Sequence, residues 1–235
     1  MADSGQAFPT RIFAERPDAR RGLWSGAALC IICCRTKSRT EAPVTTQHAP
    51  QPAAKTFISA ESLLRDSLQL GLQVLRSGFR PSFLVGVWRG GAPIGIAVQE
   101  VLAYHGLECD HISIRTSSYA ALDRQDKVVR VHALDYLVSA LDAEDRLLLI
   151  DDVFDSGRSL EAVIEELRRR CRRNLPGQIR IATVYYKPTR NRSALQPDFY
   201  VRTTDQWLVF PHELQGLTRE EILAHKPLDE GFFSD

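Results

Sequence analysis

Apolar and polar residues are arranged in blocks along the chain, and the spacing within each block predicts helices and strands in turn. Between Ile58 and Leu75 the leucines recur at helical spacing, with Ser59 placed to cap the helix and Gly78 to end it. The same patterns predict helices at 93–104 and 160–167 and strands at 83–87, 111–115, 128–132, 147–150 and 179–186. Strands alternating with helices predict an α/β fold, in which a mostly parallel, twisted sheet is flanked by helices and binds ligands at the carboxyl ends of its strands.

The first quarter of the chain lacks this periodic pattern. Residues 1–54 carry scattered arginines and a tract containing Pro, Thr and Gln at 40–52, which is typical of disordered chains. The apolar stretch Leu23–Cys34 follows Arg20 and Arg21, the order found in secretion signals, but it is too short to span a bilayer and lacks a clear cleavage site. A start codon assigned too early is an equal alternative. We therefore predict a disordered or poorly ordered extension at 1–54 and a folded domain at 55–235.

The composition is that of an ordinary globular protein, with 44% apolar and 25% charged residues. The formal net charge of +1 argues against a nucleic-acid partner, because proteins built on phosphate contacts carry a marked basic excess. Of the five cysteines, Cys30, Cys33 and Cys34 crowd one stretch, and no second pair follows at the spacing of zinc ligands. This is not a disulfide framework, so we expect a reducing compartment, the cytoplasm.

The most informative segment is 147–159, where a predicted strand runs into acidic residues and a helix begins soon afterwards. Asp151 and Asp152 follow four apolar residues, and Asp155, Ser156 and Gly157 occupy the turn. Such turns bind anions through free backbone N–H groups and the helix dipole. Three carboxylates beside a phosphate would repel it, so they must hold sugar hydroxyls, a divalent metal or a proton. A solvated strand end or a Walker-B-like metal site is the alternative, although the chain has no Gly-x-x-x-x-Gly-Lys-Ser/Thr loop.

Two further turns carry candidate chemistry. Arg89, Gly90 and Gly91 follow the first predicted strand and open a helix at Pro93, so this turn can bind a second anion. A plain Gly-Gly turn beside a solvated arginine is the alternative. The run 115–119 ends another strand and leads into a polar segment, which alone predicts a hydrophilic hairpin.

The segment 147–159 resembles the phosphoribosyl-pyrophosphate (PRPP) loop of the type I phosphoribosyltransferases, whose pattern is an apolar run, two acids, two apolar residues and Asp-Ser/Thr-Gly-x-Ser/Thr. The resemblance implies the fold of that family, with a small hood over the base, PRPP as substrate and Mg²⁺ as cofactor. It implies that Asp155 is the general base and that Asp151 and Asp152 hold the ribose hydroxyls and the metal. The other implied residues are Ser156, Gly157, Arg158 and Ser159 for the 5′-phosphate, Arg89, Gly90 and Gly91 for pyrophosphate, and Ser118 and Tyr119 in a flexible loop that closes over PRPP.

Two further positions are similar to those of the 6-oxopurine members. Alone, Lys187 after a buried strand predicts a solvent-facing side chain, and Trp207 in an apolar run predicts a core residue. In the 6-oxopurine enzymes a Lys-Pro lysine binds the exocyclic oxygen and an aromatic residue covers the ring, which implies that Lys187, Trp207 and Leu208 bind the base. Bacterial xanthine-guanine members carry an acid soon after the tryptophan, whereas here Glu213 is the first carboxylate. Hypoxanthine, guanine and xanthine therefore stay open.

The resemblance implies a purine salvage enzyme, a glycosyltransferase that moves 5-phosphoribosyl from PRPP to a 6-oxopurine and releases pyrophosphate. The expected partners are these small molecules and further copies of the chain, as a dimer or tetramer, with neither nucleic acid nor membrane. One alternative is a phosphoribosyltransferase for adenine, uracil or orotate. Another is a non-catalytic regulator that keeps the fold and senses PRPP.

Overall fold

The computed structural model describes residues 54–120 and 127–234. The strands are β1 (Lys55–Phe57), β2 (Phe83–Trp88), β3 (Asp110–Ala120), β4 (Lys127–His132), β5 (Arg146–Phe154), β6 (Gln178–Tyr186), β7 (Phe199–Thr203) and β8 (Trp207–Val209). The helices are α1 (Ala60–Arg76), α2 (Gly91–Tyr104), α3 (Asp135–Ala140), α4 (Arg158–Cys171) and α5 (Arg219–His225), with short 3-10 turns at Arg172–Asn174, Pro188–Arg190 and Glu230–Phe233. Within these residues no helix is both long and apolar enough to cross a membrane. The predicted N-terminal extension lies, up to residue 53, outside the described residues.

Six of the strands in the described part of the chain form the central sheet, in the order β4-β3-β2-β5-β6-β7. All neighbouring strands are parallel except β3 and β4, which form an antiparallel pair at one edge. The predicted α/β class and the mostly parallel sheet flanked by helices are thus confirmed. The hydrophobic pattern does not predict β7 at the other edge, because its five residues are half-buried or exposed and its apolar run is only three residues long.

Helices cover both faces of the sheet, and β5 shows why its apolar run is continuous. Leu147 and Leu149 pack among residues of α3 and α4, whereas Leu148 and Ile150 pack among residues of α1 and α2. All four side chains are fully buried. Burial of each contributes about 1.5–3 kcal/mol. The strand therefore fixes the middle of the sheet and the point at which its acidic residues emerge.

Helix α1 is capped at its start and contacts both α2 and β7. The side chain of Ser59 accepts a hydrogen bond of 3.1 Å from a first-turn N–H, which confirms it as the cap of α1. Gly71 lies against α2, where a Cβ on it would be 2.9 Å from Val101 Cβ. The buried carboxylate of Asp66 accepts two hydrogen bonds from Arg202 of β7, at 2.6 and 2.9 Å. Helix α1 thus joins α2 to the edge of the sheet.

A separate two-stranded parallel sheet is formed by β1 and β8. Lys55 Nζ lies 2.8 Å from Glu221 Oε2, and the rings of Phe57 and His225 stack with centroids 3.8 Å apart, so α5 is tied to β1. Leu208 of β8 packs into the hydrophobic core between the main sheet and α1 and α2. This small unit of β1, β8 and α5 corresponds to the hood that the resemblance implies.

Candidate active site

Strand β5 carries the acidic residues at its carboxyl end, and it continues further than the sequence predicts. Residues 151–154 remain in the strand, and Asp151 is paired in register with Thr183 of β6. The expectation that the strand ends at Ile150 is wrong, and the loop begins only at Asp155. Asp is disfavoured in strands, so the acidic residues conceal this extension in the sequence. The longer strand holds the first two carboxylates on the rigid sheet rather than on a loop.

Asp151 and Asp152 are partly shielded from water and close together, which makes their charged forms costly. Burial raises the pKa of Asp151 well above its usual value, and the carboxylate of Asp152 raises it further. Burial also raises the pKa of Asp152, to about 6, and the nearby Glu213 adds to the increase. A cation or hydroxyl donors bound here would stabilise the charged forms. The pair is therefore suited to the ribose hydroxyls and divalent metal that the resemblance implies.

The turn after β5 has the geometry of an anion site. Gly157 caps α4 with a φ of 78° in the left-handed region, and a Cβ on it would lie 2.2 Å from Ser193 Oγ, so this position requires glycine. The backbone N–H groups at the start of α4 point out of the helix. A cavity of about 70 Å³ lies against Asp155, Ser156, Gly157 and Ser159. The structure thus brings together three of the four residues predicted to bind the 5′-phosphate, whereas Arg158 is exposed at the first position of the helix.

The glycine turn after β2 packs directly on the acidic strand. A Cβ on Gly90 would lie 1.7 Å from Asp152 Oδ2, and a Cβ on Gly91 would lie 2.2 Å from the carbonyl oxygen of Ile150. Helix α2 begins at Gly91, two residues before the predicted start at Pro93. The sequence signals at these two turns are therefore parts of one site, because only glycine allows so close an approach of the two segments.

Arg89 precedes these glycines, and the peptide bond between Trp88 and Arg89 is cis. The Arg89 side chain is exposed. Burial lowers the pKa of His212, and the charge of Arg89 adds to the decrease, which places the guanidinium close to the segment that follows β8. An exposed cation at this turn is available to an anionic ligand.

At the end of β6, the buried Lys187 forms an ion pair with the half-buried Asp155. Lys187 is only 5% exposed, and its Nζ lies 3.5 Å from Asp155 Oδ2. The backbone N–H of Lys187 donates to the carbonyl oxygen of Phe154 at 2.9 Å, which fixes the lysine beside the acidic turn. The lysine is thus buried rather than solvent-facing. The structure brings together the residues predicted as base-binding lysine and general base.

Arg190 is not among the residues that the sequence predicts for the site, yet its Nε lies 2.9 Å from Asp155 Oδ1. The signal is present in the spacing, because Arg190 follows Lys187 by three residues across a turn that begins with proline. Residues three apart in a 3-10 turn project from the same side. A second missed group is the hydroxyl of Thr183, which is fully buried and has no hydrogen-bond partner among the described residues.

The predicted base-binding residues on β8 point in different directions. Trp207 is 57% exposed, so it is not the core residue that its apolar surroundings alone suggest. Leu208 is buried in the core, and consecutive residues of a strand face opposite sides. A base stacked on Trp207 could therefore meet only the main chain of Leu208. Glu213 accepts a hydrogen bond of 2.9 Å from the backbone N–H of Phe210, which holds the carboxylate back toward the chain.

Ser118 and Tyr119 lie near the end of β3, where the register pairs them with Val129 and Val128 of β4. The two residues thus belong to an antiparallel ribbon. The tip of this ribbon at 121–126 and the side chains of Ser118 and Tyr119 lie outside the described residues, so their role as a flexible loop stays a prediction.

Several solved structures share the fold. A purine phosphoribosyltransferase from Pyrococcus horikoshii is 24% identical, with 70% of this chain and 97% of that chain covered and a TM-score of 0.53. A xanthine-guanine-hypoxanthine phosphoribosyltransferase from Helicobacter pylori is also 24% identical, with coverages of 67% and 92% and a TM-score of 0.52. A hypothetical protein from Neisseria gonorrhoeae with bound ppGpp is 17% identical, with coverages of 71% and 93% and a TM-score of 0.56. At such low identities the likeness establishes the fold alone.

A comparison with curated protein sequences gives no match. Residues 36–215, however, match the phosphoribosyl transferase domain family. This range includes the acidic strand, the phosphate turn, the glycine turn, the lysine after β6 and the tryptophan of β8. The match extends over most of the sequence and agrees with the geometry of the site, and the chain therefore belongs to the phosphoribosyltransferase family.

Proposed function

We propose that this phosphoribosyltransferase transfers the 5-phosphoribosyl group of PRPP to a 6-oxopurine, giving the nucleoside 5′-monophosphate and pyrophosphate. The pair formed by Lys187 and Asp155 is the observation that carries this proposal. On a 6-oxopurine, O6 and N7 lie side by side on one edge of the ring, so two neighbouring side chains can contact one atom each. The ammonium can donate to O6 while the carboxylate receives the N7 proton. Adenine presents an amino group instead of O6, and an ammonium cannot donate to it.

The remaining site residues would bind the 5′-phosphate, the base and the leaving pyrophosphate. The N–H groups and hydroxyls of the phosphate turn would hold the 5′-phosphate, and Trp207 would stack on the base. As N9 of the purine forms its bond to C1′ of the ribose, the bond from C1′ to pyrophosphate breaks and the N7 proton moves to Asp155. Arg89 and the N–H groups beside Gly90 and Gly91 would stabilise the charge of the leaving pyrophosphate. Closure of the ribbon that carries Ser118 and Tyr119 would exclude water from the electron-poor sugar.

The acidic pair fits the Mg²⁺ ion expected for this family. Asp151 and Asp152 offer hard oxygen ligands, and a bound cation would stabilise their charged forms, which burial disfavours. In the described part of the chain no group of three or more His, Cys, Asp or Glu side chains could hold a metal. Oxygen atoms of PRPP and water would therefore complete the coordination, as is usual for Mg²⁺. The bound ion would neutralise charge on the pyrophosphate group.

The decisive experiment offers hypoxanthine, guanine, xanthine and adenine separately to the full chain with PRPP and MgCl₂ and follows pyrophosphate release. We expect turnover with at least one 6-oxopurine and little with adenine. Uracil and orotate serve as controls for the other branches of the family. Turnover with adenine, uracil or orotate alone would contradict the assignment of Lys187, and binding of PRPP without turnover of any base would favour a regulator.

We also propose that the protein is a cytoplasmic homo-oligomer in which a second copy covers the exposed face between α2 and β3. A cavity of about 280 Å³ opens there, lined in part by Ile96, Gln99 and His111, and Ile96 is 65% exposed. Light scattering should show wild type as a dimer or tetramer and the Ile96→Glu variant as a smaller species, which would support this surface as the interface. A mass unchanged by the substitution would exclude it.

We propose further that residues 55–235 are sufficient for catalysis and that 1–54 form a disordered or poorly ordered extension. All the candidate site residues lie beyond residue 54. We expect a chain that starts at Lys55 to have nearly the same turnover number and melting temperature as the full chain. Loss of either would show that the extension packs on the catalytic domain.

A further inference from the structure

The carboxylate of Asp155 lies between two cations of different character. Lys187 approaches Oδ2 from the buried side at 3.5 Å, and Arg190 approaches Oδ1 from the exposed side at 2.9 Å. The Arg190 side chain is 53% exposed, whereas that of Lys187 is 6% exposed. The arginine contact is a close ion pair, whereas Lys187 Nζ donates a long hydrogen bond to Oδ2. The carboxylate therefore has a nearby positive charge on its exposed side and a more distant hydrogen-bond donor on its buried side.

The turn that carries Arg190 is fixed to the site at several points. Its start is fixed by the bond from Lys187 N–H to Phe154, and its interior by a hydrogen bond between the side chains of Thr189 and Asp205. Beyond the turn, the backbone N–H of Arg192 donates to the carbonyl oxygen of Ser156 at 3.0 Å. The arginine thus reaches Asp155 from a rigid base, which is what a group that orients another side chain requires.

We propose that Arg190 is a positioning residue, whose guanidinium holds Asp155 Oδ1 so that Oδ2 stays beside Lys187 and free to receive the N7 proton of the purine. This inference rests on the proposed function. It gives the arginine no contact with the substrate. Its role is to keep the ammonium of Lys187, which donates to O6, and the carboxylate of Asp155, which accepts from N7, at the separation that these two purine atoms need.

Removal of the guanidinium has a defined consequence for the pair. Lys187 is buried, where attraction between opposite charges is stronger than in water. Without Arg190, the carboxylate is free to turn toward Lys187 and close the gap of 3.5 Å to the ordinary length of about 2.7–2.9 Å. The ammonium and the carboxylate would then satisfy each other. Both contacts to the purine would weaken together, whereas the phosphate turn would keep its geometry.

The kinetic test compares Arg190→Ala, Arg190→Gln and Arg190→Lys with wild type, using Arg192→Ala as the matched control. Arg192 is also exposed and contributes its hydrogen bond through the main chain, so the control removes an equal charge two residues away. We expect the Ala and Gln variants to lower kcat/KM for the base about 10- to 100-fold while KM for PRPP changes less than about twofold. The Lys variant should recover most of the loss, and Arg192→Ala should match wild type.

A double-mutant cycle separates positioning from a general structural effect. If Arg190 acts through Asp155, Arg190→Ala should cause no further loss in an Asp155→Asn background. An equal loss in both backgrounds would overturn the proposal, as would a kinetic match between Arg190→Ala and Arg192→Ala.

A second measurement needs no substrate and distinguishes this proposal from the proposed function. Crystal structures of wild type and Arg190→Ala should show the distance from Lys187 Nζ to Asp155 Oδ2 shortening from 3.5 Å to about 2.8 Å. An unchanged distance refutes the role of Arg190 even in an active enzyme. Failure of wild type to use any 6-oxopurine refutes the function, whatever the distance in the variant.

Discussion

Replacement of Asp152 by Asn should stabilise the metal-free protein at neutral pH. The pKa of this carboxyl is about 6 in the folded chain against an ordinary 3.8, with burial as the main cause. Between these values the folded state binds more protons than the unfolded state, so the free energy of unfolding falls as pH rises through this window and stays low above it. One pKa unit is worth about 1.4 kcal/mol, so charging Asp152 costs the folded state up to about 3 kcal/mol at neutral pH. Asn removes the charge and keeps the acceptor for the Val153 N–H, which is bonded at 2.7 Å.

Thermal unfolding of wild type and Asp152→Asn should be followed with EDTA present, at pH ~7.5 and at pH ~3. For a chain of this size, we expect the variant to melt roughly 5–10 °C higher at the upper pH and the two proteins to converge at the lower pH. Glu100→Gln, which removes an exposed carboxyl on α2, is the control and should show no difference at either pH. Equal melting temperatures at neutral pH, or a gap that persists in acid, would refute the reasoning. Saturating MgCl₂ and PRPP should stabilise wild type more than the variant.

Four other substitutions test the site. Asp155→Asn should lower kcat by roughly 10- to 10³-fold with PRPP affinity nearly unchanged, and full turnover would remove it as the general base. Lys187→Ala should lower the ratio of kcat/KM for hypoxanthine to kcat/KM for adenine, whereas Trp207→Ala should lower kcat/KM for both bases alike. If Lys187→Ala leaves the ratio unchanged, or if Trp207→Ala changes the order of preference among the bases, the base pocket lies elsewhere. Gly157→Ala should cost about 1–3 kcal/mol in urea unfolding and raise KM for PRPP, because the added Cβ meets Ser193 at 2.2 Å; a variant as stable as wild type contradicts the turn geometry.

Local signals made the core of this fold predictable from the sequence. The cap at Ser59, the buried run before Asp151 and the helical spacing after Gly157 are each contained within a few residues. The pairing of β1 with β8 is not predictable in this way, because it joins two three-residue strands some 150 residues apart. The burial of Lys187 and its contact with Asp155 also depend on tertiary structure, since the order of β5 and β6 in the sheet brings the two residues together.

The resemblance supplied roles for side chains but could not show which of them lie together. The position of Leu208 in the core follows from the strand that contains it, and this strand is too short to give a pattern of its own. The contact of Arg190 with Asp155 crosses 35 residues and involves an exposed arginine, which sequence reasoning treats as solvated. Contacts of this kind can be identified only from the three-dimensional course of the backbone.

Helix α2 is closely packed at both ends, so a substitution far from the active site can still affect that site. Its first residue meets the carbonyl oxygen of Ile150, and Val101 near its other end meets Gly71 of α1. The two contacts are roughly 15 Å apart, from the rise of about 1.5 Å per helical residue. A side chain introduced at position 71 would displace α2, either along its own axis or away from the sheet. The glycine turn at the start of α2 would move with it. Natural variation at Gly71 should therefore be restricted to the degree expected of a residue in the site itself, and random mutagenesis selected only for activity should recover few substitutions there.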